Sequence, residues 1–197
     1  MAKVHFFYST MNAGKSTALL QSAHNYHETG NETILFIPRE DAEKNSGLIK
    51  SRIGLKASAV VIDSKIKIFE YVKSEAAKKS IDAILIDEAQ FLKKHQVLEM
   101  CKVCDQLEIP VMCYGIRTDF RGELFEGSAA LLALADNLIE LKTVCNECSR
   151  KATMVVRQSA DGKVVKDGAQ IEIGGNDKYI SLCRLHWSEA MGEEIKT

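Results

Sequence analysis

Short apolar runs alternate with amphipathic segments along the first two-thirds of the chain. Apolar runs typical of buried strands occupy residues 4–8, 33–37, 60–62, 83–86 and 110–114. Apolar residues at helical spacing mark the segments between them, at residues 14–27, 66–79 and 93–107. This alternation predicts an α/β fold with a parallel sheet and right-handed crossovers. Residues 39–57 are polar and show no period, so we predict a long, mobile loop there.

The pattern changes from Leu138 onward. Short β-like segments, glycines and paired cysteines replace the regular alternation of strands and helices. We place a boundary near Lys142, which predicts a larger α/β domain over residues 1–141 and a small lobe over residues 142–197. A chain of 197 residues has no room for two full domains.

Composition and charge narrow the classes of function. A hydrophobic fraction of 46% with 27% charged residues is typical of a compact soluble protein. The net charge of −1 argues against a polynucleotide as the main partner. No segment approaches the roughly 20 apolar residues that span a membrane, and the first apolar run is too short for a signal peptide. We therefore expect a cytoplasmic protein without membrane association, whose six cysteines stay reduced.

The turn that follows the first apolar run carries Gly14-Lys15-Ser16 between a predicted strand and a predicted helix. This is the setting of a phosphate-binding loop, in which Lys15 bridges the β- and γ-phosphates and the Ser16 hydroxyl binds Mg²⁺. Ser9 stands where the usual motif begins with glycine, and a positive φ there would be strained. The predicted ATP-binding loop comprises Ser9, Thr10, Met11, Asn12, Ala13, Gly14, Lys15 and Ser16.

Two acidic residues, Asp87 and Glu88, end the apolar run at residues 83–86. Ligands of such sheets bind at the carboxyl ends of the strands. Asp87 is placed to hold Mg²⁺, and Glu88 is the candidate base that accepts the proton of an acceptor hydroxyl. The nucleotide site is thus predicted to include Asp87, Glu88, Ala89 and Gln90. The same four residues resemble the acidic box of nucleic-acid helicases, which need a second domain that this chain has no length to supply.

The paired cysteines predict a structural metal site. Cys145-x-x-Cys148 and Cys183-x-x-His186 provide two short-spaced ligand pairs, which together form a tetrahedral Cys₃His set for Zn²⁺. Four protein ligands leave no open position for catalysis. Cys101 and Cys104 fall on the apolar stripe of a predicted helix, and we interpret them as packing residues.

The phosphate loop, the Asp87-Glu88-Ala89-Gln90-Phe91 strand end and the cysteine-bearing lobe together resemble the zinc-containing thymidine kinases, bacterial members most closely. The resemblance extends from Lys3 to about Trp187 and includes the run from Ile173 to Tyr179. It implies a RecA-like ATP-binding domain, a zinc-bearing lasso around thymidine and a homotetramer. The implied reaction is transfer of the γ-phosphate of ATP to the 5′-hydroxyl of thymidine.

The resemblance also assigns residues around the nucleoside. Glu88 matches the catalytic base, and Arg52 matches an arginine that positions the phosphates or the base. The remaining matches to substrate-binding positions are Met11, Phe91, Ile116, Phe120, Gln170, Ile171, Glu172, Ile173, Gly174 and Tyr179. Without the resemblance, the sequence favours the interpretation of Phe91 and Phe120 as ordinary core residues.

Two other functions stay open at this stage. A RecA-like ATPase with a zinc ribbon would act on nucleic acid and would ignore nucleosides. A kinase for a different small acceptor would keep the same phosphate loop.

Overall fold

The computed structural model describes residues 1–170 and 179–192. Over these residues the strands are, in chain order, β1 (Val4–Ser9), β2 (Thr33–Pro38), β3 (Leu48–Lys50), β4 (Lys56–Ser58), β5 (Val60–Ile62), β6 (Ala83–Ile86), β7 (Val111–Ile116), β8 (Asn137–Glu140), β9 (Met154–Gln158), β10 (Val164–Val165) and β11 (Tyr179–Leu182). The helices are α1 (Lys15–Glu28), α2 (Arg39–Asn45), α3 (Ile68–Ala76), α4 (Lys94–Leu107), α5 (Glu126–Leu134) and α6 (Arg184–Met191). A short 3₁₀ helix covers Ala89–Phe91. None of these described helices is long and apolar enough to cross a membrane.

The main sheet has the strand order β5-β2-β6-β7-β1-β8, and its described strand pairs are all parallel. The five apolar runs of the sequence form five of these strands, which confirms the predicted α/β class. The edge strand β8 was not predicted. Leu138 in β8 is about half exposed, so this strand does not have the unbroken apolar run of a strand covered on both faces.

Alternation along the strands gives the main sheet two apolar faces. Ile84 and Ile86 of β6 pack on one face with side chains of α3, α4 and α5. Leu85 of the same strand packs on the opposite face with α1. Both faces are buried, and ligands of sheets covered in this way bind at the carboxyl ends of the strands.

The prediction of a long loop over residues 39–57 is wrong. The segment forms α2 and an antiparallel hairpin of β3 and β4. Ala42 and Ile49 are buried in the same cluster as α1. Ala42 is the buried anchor of α2, and Ile49 is the buried anchor of the hairpin. One buried apolar residue in each is too few to give a detectable period.

The C-terminal lobe contains an antiparallel sheet of order β10-β9-β11 and the helix α6. Its buried cluster includes Val156, Leu182 and Trp187. The main sheet ends at Glu140 and the sheet of the lobe begins at Met154, so the predicted boundary near Lys142 falls between them. The division into domains at residues 141 and 142 stays a prediction.

Candidate active site

The turn from β1 to α1 has the backbone of a phosphate-binding loop. The positive φ angles fall on Asn12, at 65°, and on Gly14, at 76°. Gly14 directly precedes α1, where a residue with a side chain would be strained. Ser9 ends β1 and is not among the residues with positive φ. Replacing the usual first glycine by Ser9 therefore causes no backbone strain of this kind.

Lys15 lies over this loop and is only 7% exposed. Its Nζ donates to the Ser9 hydroxyl over 3.1 Å and to the Thr10 carbonyl over 2.7 Å. Burial lowers the pKa of Lys15, and the nearby carboxylates of Glu88 and Asp87 oppose that effect. Ser9 thus supplies a hydroxyl that anchors the lysine, which a glycine could not do.

Asp87 and Glu88 follow β6 at the edge of the sheet that carries the phosphate loop. Asp87 is 2% exposed and is hydrogen-bonded to Ser16. Burial, and next the charge of Glu88, raise the pKa of Asp87 to about 7. A buried carboxylate with this shift has too little positive charge around it, and a cation beside it would supply that charge.

Glu88 takes a left-handed backbone conformation, with φ of 49°, which is uncommon for a residue with a side chain. The Gln90 side chain holds it by donating from Nε2 to Glu88 Oε2. Gln90 Oε1 in turn accepts the N–H of Ile116 over 3.1 Å. A Cβ on Gly115 would lie 2.9 Å from Gln90 Oε1, so the absence of a side chain there lets Gln90 approach β7. Through Gln90, the end of β7 therefore fixes the orientation of the Glu88 carboxylate.

A cavity of about 520 Å³ connects the phosphate loop with Glu88 and the lobe. The predicted site residues that line this cavity are Met11, Asn12, Ala13, Gly14, Lys15, Ser16, Arg52, Asp87, Glu88, Gln90, Phe91, Ile116, Phe120, Gln170 and Tyr179. Ser9, Thr10 and Ala89 are buried behind the cavity wall. Ile171, Glu172, Ile173 and Gly174 lie outside the described residues.

The predicted aromatic residues belong both to the cavity wall and to the packing around it. Phe120 is 1% exposed, and the Arg157 guanidinium lies 4.2 Å from the centre of its ring. The indole N–H of Trp187 donates to the Phe120 carbonyl over 2.9 Å, which ties α6 to this wall. Phe91 meets Phe125 edge to face at 5.9 Å. The core interpretation and the nucleoside interpretation of these rings are therefore compatible.

Several cavity residues were missed by the sequence analysis. Asp41 and Asn45 of α2, together with Lys50 of β3, line the cavity beside Arg52. They belong to the segment that we predicted as a loop, where no period signalled an element facing the sheet edge. Asp119 was missed because it is buried and caps its own turn, accepting N–H groups of Arg121 and Glu123 over 2.9 Å each.

The predicted zinc ligands come together in the lobe. Ligand atoms of Cys145, Cys148, Cys183 and His186 all lie within 4.8 Å of one another. The Cys148 and Cys183 sulfurs are 3.9 Å apart, close to the ~3.8 Å that tetrahedral Zn–S bonds of ~2.3 Å require. Burial raises the pKa of Cys145, but hydrogen bonds from the Cys183 backbone and the His186 ring lower it to about 6. The four side chains fit Zn²⁺, whose thiol ligands are deprotonated.

The other cysteines lie in the core of the main domain. Cys104 and Cys113 are buried in the cluster that packs on the main sheet, and Cys101 lies against it. Burial raises the pKa of Cys104 to about 11, so its thiol stays protonated. The interpretation of Cys101 and Cys104 as packing residues is consistent with these positions.

The parallel sheet, the phosphate loop and the acidic strand end define a P-loop nucleotide-binding protein, whose lobe carries a Cys₃His cluster that fits Zn²⁺. Comparison with known families then specifies the class. The family model described as thymidine kinase matches residues 2–187. The chain belongs to the thymidine kinase family.

Individual relatives agree with this assignment over 90% or more of their length. A thymidine kinase from Rhodopirellula baltica is 51% identical over 97% of this chain and 90% of its own. One from Haemophilus influenzae is 51% identical over 98% of this chain and 100% of its own. One from Salmonella typhimurium is 49% identical over 98% of this chain and 94% of its own. The family identified from the sequence motifs is therefore confirmed.

Proposed function

We propose that the protein transfers the γ-phosphate of ATP to the 5′-hydroxyl of thymidine, which yields thymidine monophosphate for DNA precursor synthesis. The observation that carries the proposal is a single cavity lined by the phosphate loop, the Glu88 carboxylate and the rings of Phe91, Phe120 and Tyr179. Membership of the thymidine kinase family supports the choice of acceptor.

The phosphate side of the reaction is assigned to four residues. Lys15 provides positive charge beside the β- and γ-phosphates, and backbone N–H groups of the loop bind them. Ser16 and Asp87 offer the oxygen ligands that Mg²⁺ prefers, and their hydrogen bond places them together. Bound Mg²⁺ would neutralise charge on the transferring phosphoryl group. Arg52, whose charge acts on Lys15, would add a further positive group.

The acceptor side is assigned to Glu88. Its carboxylate lines the cavity and is oriented by Gln90, so it can accept the proton of the 5′-hydroxyl as the new O–P bond forms. Phe91, Phe120 and Tyr179 would enclose the nucleoside, with Met11 and Ile116 near the thymine methyl. The lasso backbone from Gln170 to Gly174 would bind the polar edges of the base, which would reject cytosine by leaving buried groups unpaired.

A direct assay tests the proposal. Purified protein is incubated with Mg·ATP and each deoxynucleoside in turn, and 5′-monophosphates are separated and quantified. We expect product with thymidine and little with deoxycytidine, deoxyadenosine or deoxyguanosine. ATP turnover that is stimulated by DNA and indifferent to nucleosides would contradict the proposal. The homotetramer and the cytoplasmic location stay predictions, and light scattering of the purified protein would test the first.

A further inference from the structure

Ser181 lies where the lobe touches the phosphate loop. It belongs to β11 and is 3% exposed. Its hydroxyl donates to the Met11 carbonyl over 2.9 Å and accepts from Thr10 Oγ1 over 3.4 Å. The first of these hydrogen bonds joins residues that are 170 positions apart in the chain. The lobe therefore makes polar contact with the backbone of the predicted ATP site itself.

Side chains alternate along β11 between the side of the cavity and phosphate loop and the core of the lobe. Tyr179 and Ser181 share one face of the strand, and Tyr179 lines the cavity. Ile180 and Leu182 point to the other face and pack in the core of the lobe. Cys183, one of the four metal-ligating side chains, follows β11 directly. One short strand thus connects the cavity, the phosphate loop and the Cys₃His cluster.

The direction of the Met11 carbonyl decides what the next N–H can bind. A planar trans peptide points its C=O and its N–H in opposite directions. With the Met11 carbonyl held against Ser181, the N–H of Asn12 is directed away from β11. Asn12 lines the cavity and has a φ of 65°, and N–H groups in turns of this kind form concave anion sites.

We propose that Ser181 is a positioning residue of the phosphate site. It fixes the Met11–Asn12 peptide in the orientation that presents the Asn12 N–H to the phosphates of ATP. The inference rests on the proposed use of ATP by this loop, and it adds that the metal-binding lobe sets the geometry of the phosphate side. Without the hydroxyl, the Met11 carbonyl keeps only the hydrogen bond from Oγ1 of the adjacent Thr10, over 3.1 Å. It then has no contact with the lobe to fix the orientation of the peptide.

Ser181→Ala tests the inference by titration calorimetry, with Mg·ATP and with magnesium tripolyphosphate, in the absence of nucleoside. Loss of one buried hydrogen bond should weaken binding of both by about 10-fold. Tripolyphosphate should lose the same factor as ATP, because the Asn12 N–H contacts phosphate only. Zinc content and the unfolding temperature, measured on the same samples, report on the lobe. Ile180→Val, on the opposite face of β11, is the control and should leave both affinities unchanged.

Two further variants, whose new side chains have the same shape, keep the test decisive if the alanine variant loses zinc. Ser181→Thr keeps the hydroxyl, whereas Ser181→Val replaces it by a methyl group. The threonine variant should bind ATP as the wild type does, and the valine variant should bind it about 10-fold more weakly. Equal affinities of this pair would overturn the inference. Wild-type protein that binds ATP but phosphorylates no thymidine would contradict the proposed function and leave the role of Ser181 standing.

Discussion

The two sides of the cavity are built in different ways. The phosphate side rests on the main sheet, where strands such as β6 are covered on both faces. The opposite side rests on the lobe, whose cluster of eight buried described residues includes Cys145 and Cys183. A core of that size contributes little stability by itself, and small domains commonly depend on a metal. The lobe should therefore depend on Zn²⁺, and the main domain should not.

The difference extends to how each side holds its functional groups. On the phosphate side, the loop follows directly from the end of β1, and Asp87 and Glu88 follow from the end of β6, with β7 between these two strands. On the lobe side, the groups are placed by contacts to the main domain, such as Trp187 with the Phe120 carbonyl and Ser181 with the Met11 carbonyl. Substitutions that remove a contact between the lobe and the main domain should therefore shift the lobe. The groups on the phosphate side should keep their positions in the same variants.

Removing the metal should have the largest effect. In Cys183→Ser the lobe loses a ligand, and structural zinc contributes on the order of 10 kcal/mol of apparent binding free energy in small domains. We expect loss of zinc, unfolding of the lobe and loss of thymidine phosphorylation, while the helix and strand signals of the main domain persist in circular dichroism. Elemental analysis of the wild type should find one zinc per chain.

Cys101→Ala combined with Cys104→Val is the matched control for the metal, because it changes two cysteines at the same spacing in the core of the main domain. This variant should keep its zinc. If it were purified metal-free, or if Cys183→Ser kept a full equivalent of zinc, the assignment of the ligands would be wrong.

Glu88→Gln should have the next largest effect, on chemistry alone. Loss of a positioned base should lower kcat by roughly 10²–10⁴-fold. Binding of ATP and thymidine should change little, since the amide has the shape of the carboxylate. Rates are best measured in a single turnover, where chemistry is separated from product release.

Glu108→Gln is the matched control for this change, because Glu108 also has a left-handed backbone, with φ of 55°, but is exposed on the surface. Its activity should equal that of the wild type. A Glu88→Gln variant that retained more than about half of the single-turnover rate would exclude Glu88 as the base.

The main domain was largely predictable from sequence because its signals are local. Each of its buried strands is an apolar run, and the phosphate loop and acidic pair follow such runs directly. The hairpin of β3 and β4 was missed because Ile49 is its only fully buried anchor. The edge strand β8 was missed because one of its apolar side chains, Leu138, is exposed.

Contacts between residues far apart in the chain produce no local pattern in the sequence. The spacing of the cysteines predicted the four metal ligands, but nothing local to Ser181 indicates that its hydroxyl meets the Met11 carbonyl. The same holds for Gln90, whose contact with the end of β7 depends on the missing side chain of Gly115. Such residues act through partners that only the fold brings together.

Tyr179→Ala should have the smallest of these effects and should separate the two sides of the cavity most sharply. The ring lines the cavity from β11, on the lobe side. Loss of its apolar contact should raise the thymidine KM by about 10-fold, the order expected for removing a partly buried aromatic ring. The ATP KM should rise much less, because the ring is proposed to touch only the nucleoside. Tyr179→Phe keeps the ring and should stay near the wild-type thymidine KM. An equal rise in both KM values, or a rise in the ATP KM alone, would show that Tyr179 does not contact the nucleoside. The assignment of the nucleoside side of the cavity to the lobe would then be wrong.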